Sequence, residues 1–127
     1  MLKKMNRKHS YEEFKKMVDY LRSHDPLFAI STDIIVGYSG ETQEMFEETL
    51  KAVEECEFDF IYNARYSVRT GTIASKIYPD DVPDKVKAER WHILNNVLKK
   101  NVDKRNTMML GRVEEVMING ERDEQFF

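Results

Sequence analysis

With 127 residues, 41% of them hydrophobic and 34% charged, and a formal net charge of −3, the chain has the make-up of one small globular domain with a limited core. That charge argues against a protein held to nucleic acid by bulk positive potential, so any such contact must come from local patches. Cys56 is the only cysteine, which excludes an internal disulfide and a cysteine-built metal or iron–sulfur site within this chain, and fits a reducing cytoplasm.

The opening MLKKMNRKHS is charged but has no apolar signal core, and no stretch of about 18 apolar residues follows anywhere, so a soluble, unexported protein is expected. Lys3, Lys4, Arg7, Lys8 and His9 form one basic cluster; Lys99, Lys100, Lys104, Arg105 and Arg112 form another. Each alone reads as a solvated face. Ser10 and Glu13 make a capping box, and Tyr11, Phe14, Val18 and Leu21 recur at helical spacing, predicting a helix from Ser10 to His24.

Pro26 ends that helix, and Ala29 to Gly37 reads as a buried strand because isoleucine and valine dominate it. Thr42 is placed to cap a second helix, with Phe46, Thr49, Leu50 and Val53 as its inner stripe and an end near Cys56. A second strand is expected over Phe58 to Ser67, then a loop from Thr70 to Pro83. A third helix begins after Val82-Pro83-Asp84, with Val86, Ile93 and Val97 on one side and Trp91, Leu94 and Leu98 beside them. Met108 to Asn119 looks like the opening strand of a small β domain.

Helices alternating with strands make parallel βαβ units, hence an α/β fold. Two strands do not complete such a domain, because a parallel sheet needs cover on both faces and edges. The chain is therefore expected to be part of a larger body.

Side chains alternate along a strand, so Ser31, Asp33, Ile35 and Gly37 share one face, and Ile30, Thr32, Ile34 and Val36 the other. The second face suits the underside of helices. The first carries a carboxylate that needs a partner or a ligand, since burying it unpaired is costly. The later strand splits into Phe58, Phe60, Tyr62, Ala64 and Tyr66 against Asp59, Ile61, Asn63, Arg65 and Ser67. Its polar face is either solvent or a barrel lumen; in a barrel, Asp33, Asn63 and Ser67 would meet at the carboxyl ends of the strands.

The turn Gly37-Tyr38-Ser39-Gly40 leads from strand to helix N-terminus, where backbone N–H groups can hold a ligand. It lacks the ending of a P-loop and the third glycine of a dinucleotide fingerprint, so an ordinary βα turn is the plainer reading. Arg69 sits just past a strand end, as a substrate contact or an exposed loop residue. His9, His24 and His92 have no metal spacing. The acid pairs Glu12/Glu13, Glu47/Glu48, Glu54/Glu55 and Asp80/Asp81 read as solvated charges, and Met5, Met17, Met45, Met108 and Met109 as core filler.

Taken in order, LKKMNRKHSYEEF, AISTDIIVGYSGETQEMFEETL, FDFIYNARYSVRTGTIASKI, VPDKVKAER and LGRVEEVMING strongly resemble the C-terminal half of the radical S-adenosylmethionine (SAM) methylthiotransferases, most nearly the MiaB-type tRNA branch. The resemblance implies the later part of a radical SAM partial (β/α) barrel over residues 1–104, and the start of a TRAM-like β domain over residues 105–127. It implies methylthiolation of carbon 2 of isopentenyl-adenosine beside the anticodon, with tRNA as partner, in the cytoplasm. It also implies a [4Fe-4S] cluster bound through a CxxxCxxC loop outside this chain, so the chain alone is expected to be inactive.

By the same resemblance Arg7 of the MNR motif, Asp33, Ile35, Gly37, Gly40 and Ser67 would contact or wall SAM. Arg69 and Arg112 would face the RNA. A carboxylate suits Asp33 there, because it can accept from SAM's polar groups or balance an arginine. The chain departs from the family pattern at Ser39, where the turn loses a proline, at Thr70 in the Arg69-Thr70-Gly71-Thr72 run, and at Arg65, which replaces an apolar residue. Two alternatives stand beside this reading. One is a relative acting on threonylcarbamoyl-adenosine or on a ribosomal-protein aspartate; the other is a noncatalytic α/β interaction module.

Overall fold

The computed structural model describes residue 2, residues 4–122 and residues 125–126, with side chains up to residue 120. The elements in chain order are α1 (Tyr11–His24), β1 (Ser31–Val36), α2 (Gln43–Cys56), β2 (Phe60–Arg65), α3 (Ile73–Ile77), α4 (Asp84–Met109), β3 (Glu121–Arg122) and β4 (Gln125–Phe126). α1 starts where the capping box places it: the Ser10 side chain accepts from the Glu13 N–H, and the Glu13 carboxylate accepts from the Ser10 N–H at 2.8 Å. Thr42 caps α2 by accepting from the Met45 N–H, which satisfies a donor the helix itself leaves unpaired.

β1 and β2 form a parallel pair with Asp33 opposite Tyr62 and Val36 opposite Arg65, joined by α2 as the crossover. The core lies between this pair and the helices, and gathers Val18, Ile30, Val36, Phe46, Val53, Cys56, Phe58, Ile61 and Leu94. The expected inner face of β1 is the buried one, since Ile30 and Val36 are core residues and Ile34 packs against them.

The outer face of the sheet is bare. Ser31, Asp33, Ile35, Phe60, Tyr62 and Ala64 are all exposed, so the described residues build an α/β unit covered by helices on one side only. This corrects the expected lining at β2. Partners opposite each other in a parallel pair point the same way, so Asp33 shares its face with aromatic Tyr62, and Asn63 lies on the opposite face, under α4.

Three further expectations change. The loop from Thr70 to Pro83 contains α3, capped by the Thr72 hydroxyl on the Ser75 N–H. The strand expected over Met108 to Asn119 is absent: α4 continues through Met109, residues 112–120 join no sheet, and the first strand beyond it is β3. The third predicted helix is α4: of its expected apolar residues Leu94 is in the core and Trp91, Val97 and Leu98 pack against it, but Ile93 is 43% exposed and the other buried residues are the polar Lys87, Arg90, Asn101 and Arg105. The helix runs unbroken across position 104.

Candidate functional site

Beyond Val36 the chain must turn at once into α2, and two glycines make that possible. Gly37 and Gly40 have φ of 74° and 72°, a region that strains any residue with a Cβ. At Gly37 there is a second reason: an added Cβ would come within 2.3 Å of the Lys87 side chain, which crosses directly over it. The turn is buried even though it is polar, with Tyr38, Ser39 and Glu41 all under one-tenth exposed.

Two of its N–H groups are taken by carboxylates. Gly37 donates to Glu41 Oε1 at 2.9 Å and Gly40 donates to Asp81 Oδ1 at 2.8 Å. Glu41 Oε1 also receives Arg90 Nη1 at 2.6 Å, and the Glu41 carbonyl receives the same nitrogen at 3.1 Å. Both side chains of this ion pair are buried, and Arg90 also lies over the Phe46 ring, 5.4 Å from its centroid. Arg90 Nε has no partner among the described residues. The N–H groups of both glycines are therefore already satisfied from within the chain, which agrees with the plainer reading of GYSG.

Around the turn stand further groups from distant parts of the chain. Lys87 donates to Asp80 at 2.6 Å and lies 3.5 Å from Asp84. Burial works against its charge, but the Asp80 and Asp84 carboxylates outweigh that, and its pKa is raised above the ordinary lysine value. Tyr38 packs edge-on against Tyr66 and Tyr78 at 4.9 and 6.3 Å. Burial, then the neighbouring Tyr66 and Tyr78, raises the Tyr38 pKa. Lys4 reaches the Tyr78 ring at 5.6 Å, and its Nζ would lie 2.7 Å from a Cβ at Gly40, so the N-terminal segment passes beside the turn.

The residues singled out in the sequence fall into three groups. Asp33 and Ile35 stand on the bare sheet face that leads up to the turn; Ile35 is 44% exposed. Gly37 and Gly40 form the turn itself, while Ser67 and Arg69 lie exposed just past the end of β2, where the Arg69 carbonyl accepts from Thr72. Arg7 is exposed in a turn closed by its own N–H to the Leu2 carbonyl at 2.9 Å. Arg112 lies beyond the far end of α4, paired with Glu114 at 2.7 Å, and is not brought to the turn. Glu41, Lys87, Asp81 and Arg90 were not singled out. Lys87, Arg90 and Leu94 follow one another at three- and four-residue steps, a single helix face on which charge continues an apolar line, and that spacing is a legible signal.

Fold and turn together define an α/β unit whose chemistry-bearing groups gather at the carboxyl ends of its parallel strands. In sequence, the unit is similar along almost its whole length to methylthiotransferases. It is 44% identical over 94% of its length to the tRNA-2-methylthio-N(6)-dimethylallyladenosine synthase of Caldicellulosiruptor saccharolyticus, 42% to that of Opitutus terrae and 45% to that of a Thermoanaerobacter species. The chain spans about a quarter of the length of these curated relatives, 25% in each case. No family model matches it. Among the described residues no group of histidine, cysteine and carboxylates could hold a metal, and no helix is long and apolar enough to cross a membrane.

Proposed function

We propose that the chain is part of a cytoplasmic tRNA methylthiotransferase of the radical SAM class, acting on carbon 2 of N6-isopentenyl-adenosine. In this reading residues 1–104 form the later strands and helices of the barrel, and a TRAM-like domain begins after them. The observation that carries it is the bare face of the β1–β2 pair. Helices cover one side, as on the outside of a barrel, and the uncovered side presents Asp33 and Ile35 directly below the Gly37–Gly40 turn, where α/β barrels keep their ligands.

These residues fit one wall of a SAM site. Asp33 offers carboxylate oxygens to hydroxyl or ammonium donors, and Ile35 offers an apolar flank to a purine. Gly37 and Gly40, whose N–H groups are engaged, contribute a close backbone surface and not donors. Arg7 and Ser67 are exposed near enough in sequence to the turn's neighbours to complete the wall when the rest of the barrel is present. When bound, SAM would supply the methyl group and the radical-forming fragment; this chain's residues hold and orient it. A [4Fe-4S] cluster does not fit the residues described: the one cysteine is buried in the core, so the cluster's ligands are assigned to sequence outside this chain, and no step is derived through it. Arg69 and Arg112 are assigned to tRNA.

The test is a chimera. The segment replaces the matching stretch of the Caldicellulosiruptor saccharolyticus synthase, and mass spectrometry of hydrolysed tRNA reads the methylthio product. Product is expected with the wild-type segment, with about tenfold or greater loss for Asp33→Ala, the cost of one charged hydrogen bond. A well-folded chimera without product would sink the reading. For the chain alone, calorimetry should show weak or no SAM binding, and tight binding would contradict an incomplete site.

A further inference from the structure

Among the described residues Lys87 is the only buried lysine, 2% exposed. A lysine in such a place gives up the water around its ammonium and most of its rotamer freedom. A methionine would fill the same space without stripping a charge, so the charge needs a role. Asp80 holds the ammonium at 2.6 Å and Asp84 lies 3.5 Å from it. Both carboxylates reach water, at 31% and 97% exposure, so these pairs fix the lysine and do not rescue a buried acid.

What the fixed side chain touches is the end of β1. Its Cγ lies inside contact distance of the place a Cβ on Gly37 would take, with Cδ and Cβ at 3.1 and 3.3 Å, so the stem fills room that only glycine leaves. Its Nζ lies over the Tyr66 ring, 5.6 Å from the centroid. Tyr66 in turn is bound to both neighbours of Gly37: its N–H donates to the Val36 carbonyl at 2.8 Å, and its ring packs edge-on against Tyr38. Arg90 reaches the turn by a separate route, through Glu41 to the Gly37 N–H. Ile35 and Asp33 precede Gly37 by two and four residues, roughly 7 and 13 Å back along the strand. The spacing of successive Cα atoms is fixed, so a shift at Gly37 is carried to Ile35.

We propose that Lys87 is a positioning residue for the cofactor wall: its stem, pinned by Asp80 and Asp84, sets where the carboxyl end of β1 lies, and with it Ile35 and the turn. It acts through Gly37 and not by contact with the cofactor. The inference rests on the SAM reading of Asp33, Ile35 and the turn, and adds to it a residue from α4. Two substitutions divide the claim: Lys87→Met keeps the stem and removes the charge that pins it, and Lys87→Ala removes the stem.

The experiment measures the SAM dependence of product formation in the chimera, and amide exchange in the 127-residue chain. Lys87→Met should raise the KM for SAM about threefold to tenfold and Lys87→Ala more than about tenfold, with kcat kept within about twofold, the pattern of lost uniform binding. Arg105→Ala is the control for a merely structural role, since it loosens the other end of α4 and should leave that KM unchanged. Gly37→Ala should raise KM less in the Lys87→Ala background than alone, because the added methyl meets the stem only where the stem is present. In the free chain both Lys87 variants should speed exchange of the Gly37 and Gly40 amides about tenfold, a local opening, with circular dichroism showing each variant folded. A fall in kcat at constant KM, an equal rise in KM for Arg105→Ala, or additive Gly37→Ala and Lys87→Ala effects would each overturn the proposal. A wild-type chimera without product defeats the SAM reading alone, whereas unchanged exchange at the turn in Lys87→Ala defeats the positioning role whatever the chimera does.

Discussion

The two ends of the β1–β2 pair are both fastened by buried arginines from α4, but to opposite kinds of group. At the carboxyl end, Arg90 meets a carboxylate, Glu41, which in turn holds the Gly37 N–H. At the amino end, Arg105 pairs with Asp59 and reaches the Pro26 and Phe28 carbonyls at 3.4 and 3.3 Å. Arg22 joins it there, donating to the Cys56 and Glu57 carbonyls that α2 leaves unpaired at its C-terminus. Asp59 also takes the Ile30 N–H at 2.8 Å.

The amino end is thus a set of ties to backbone carbonyls and is more exposed, its Asp59 side chain being 27% accessible. The carboxyl end is a closed, buried ion pair that fixes the shape of one turn. The first spreads its cost over many bonds, and the second concentrates it in a single carboxylate.

That contrast predicts unequal responses. Glu41→Ala should be the most damaging change, because it leaves Arg90 charged and buried and the Gly37 N–H unpaired; a loss of about 3–5 kcal/mol is expected in urea unfolding. Arg105→Ala should cost less, about 1–3 kcal/mol, since Asp59 keeps Arg22, the Ile30 N–H and partial solvent. If the two variants cost the same, the distinction between a concentrated and a distributed fastening fails.

Smallest is the effect of alkaline pH. Burial raises the Cys56 pKa from its ordinary value of 9.0, and the Asp80 and Asp84 carboxylates raise that of Lys87 from 10.5 against the opposing effect of burial. A group whose folded pKa is raised keeps its proton longer in the native state, so its stabilisation is complete below the ordinary value and fades as pH rises through the folded one. Urea midpoints should therefore fall from about pH 9 upward, and Cys56→Ala should flatten the first part of that fall. An unchanged pH profile in that variant would remove Cys56 from the account.

Most of the framework was legible from local signals. Ser10 with Glu13 and Thr42 located helix starts, and the apolar alternation in Ile30 to Val36 found both the strand and its buried face. The face of β2 was not legible, because alternation gives a period of two without a sign. Aromatic Phe60 and Tyr62 look like core residues, but the parallel register puts Tyr62 beside Asp33, on a face that nothing in the described chain covers.

The polar clamp at the turn escaped for a different reason. Hydrophobic patterning searches for apolar stripes, and α4 buries Lys87, Arg90, Asn101 and Arg105 around one leucine. Likewise Asp80 and Asp81 read as solvated, yet one holds Lys87 and the other the Gly40 N–H.

α4 has a mechanical consequence. Its 26 residues make a rod roughly 39 Å long, with neither glycine nor proline to serve as a hinge. Lys87 and Arg90 bolt one end to the glycine turn; at the other, Asn101 donates to the Val53 carbonyl of α2 and Arg105 ties to Asp59 at the amino end of β2. A load applied past Met109 is therefore delivered as a shift of the whole rod, felt together at the amino ends of the strands and at the turn at Gly37.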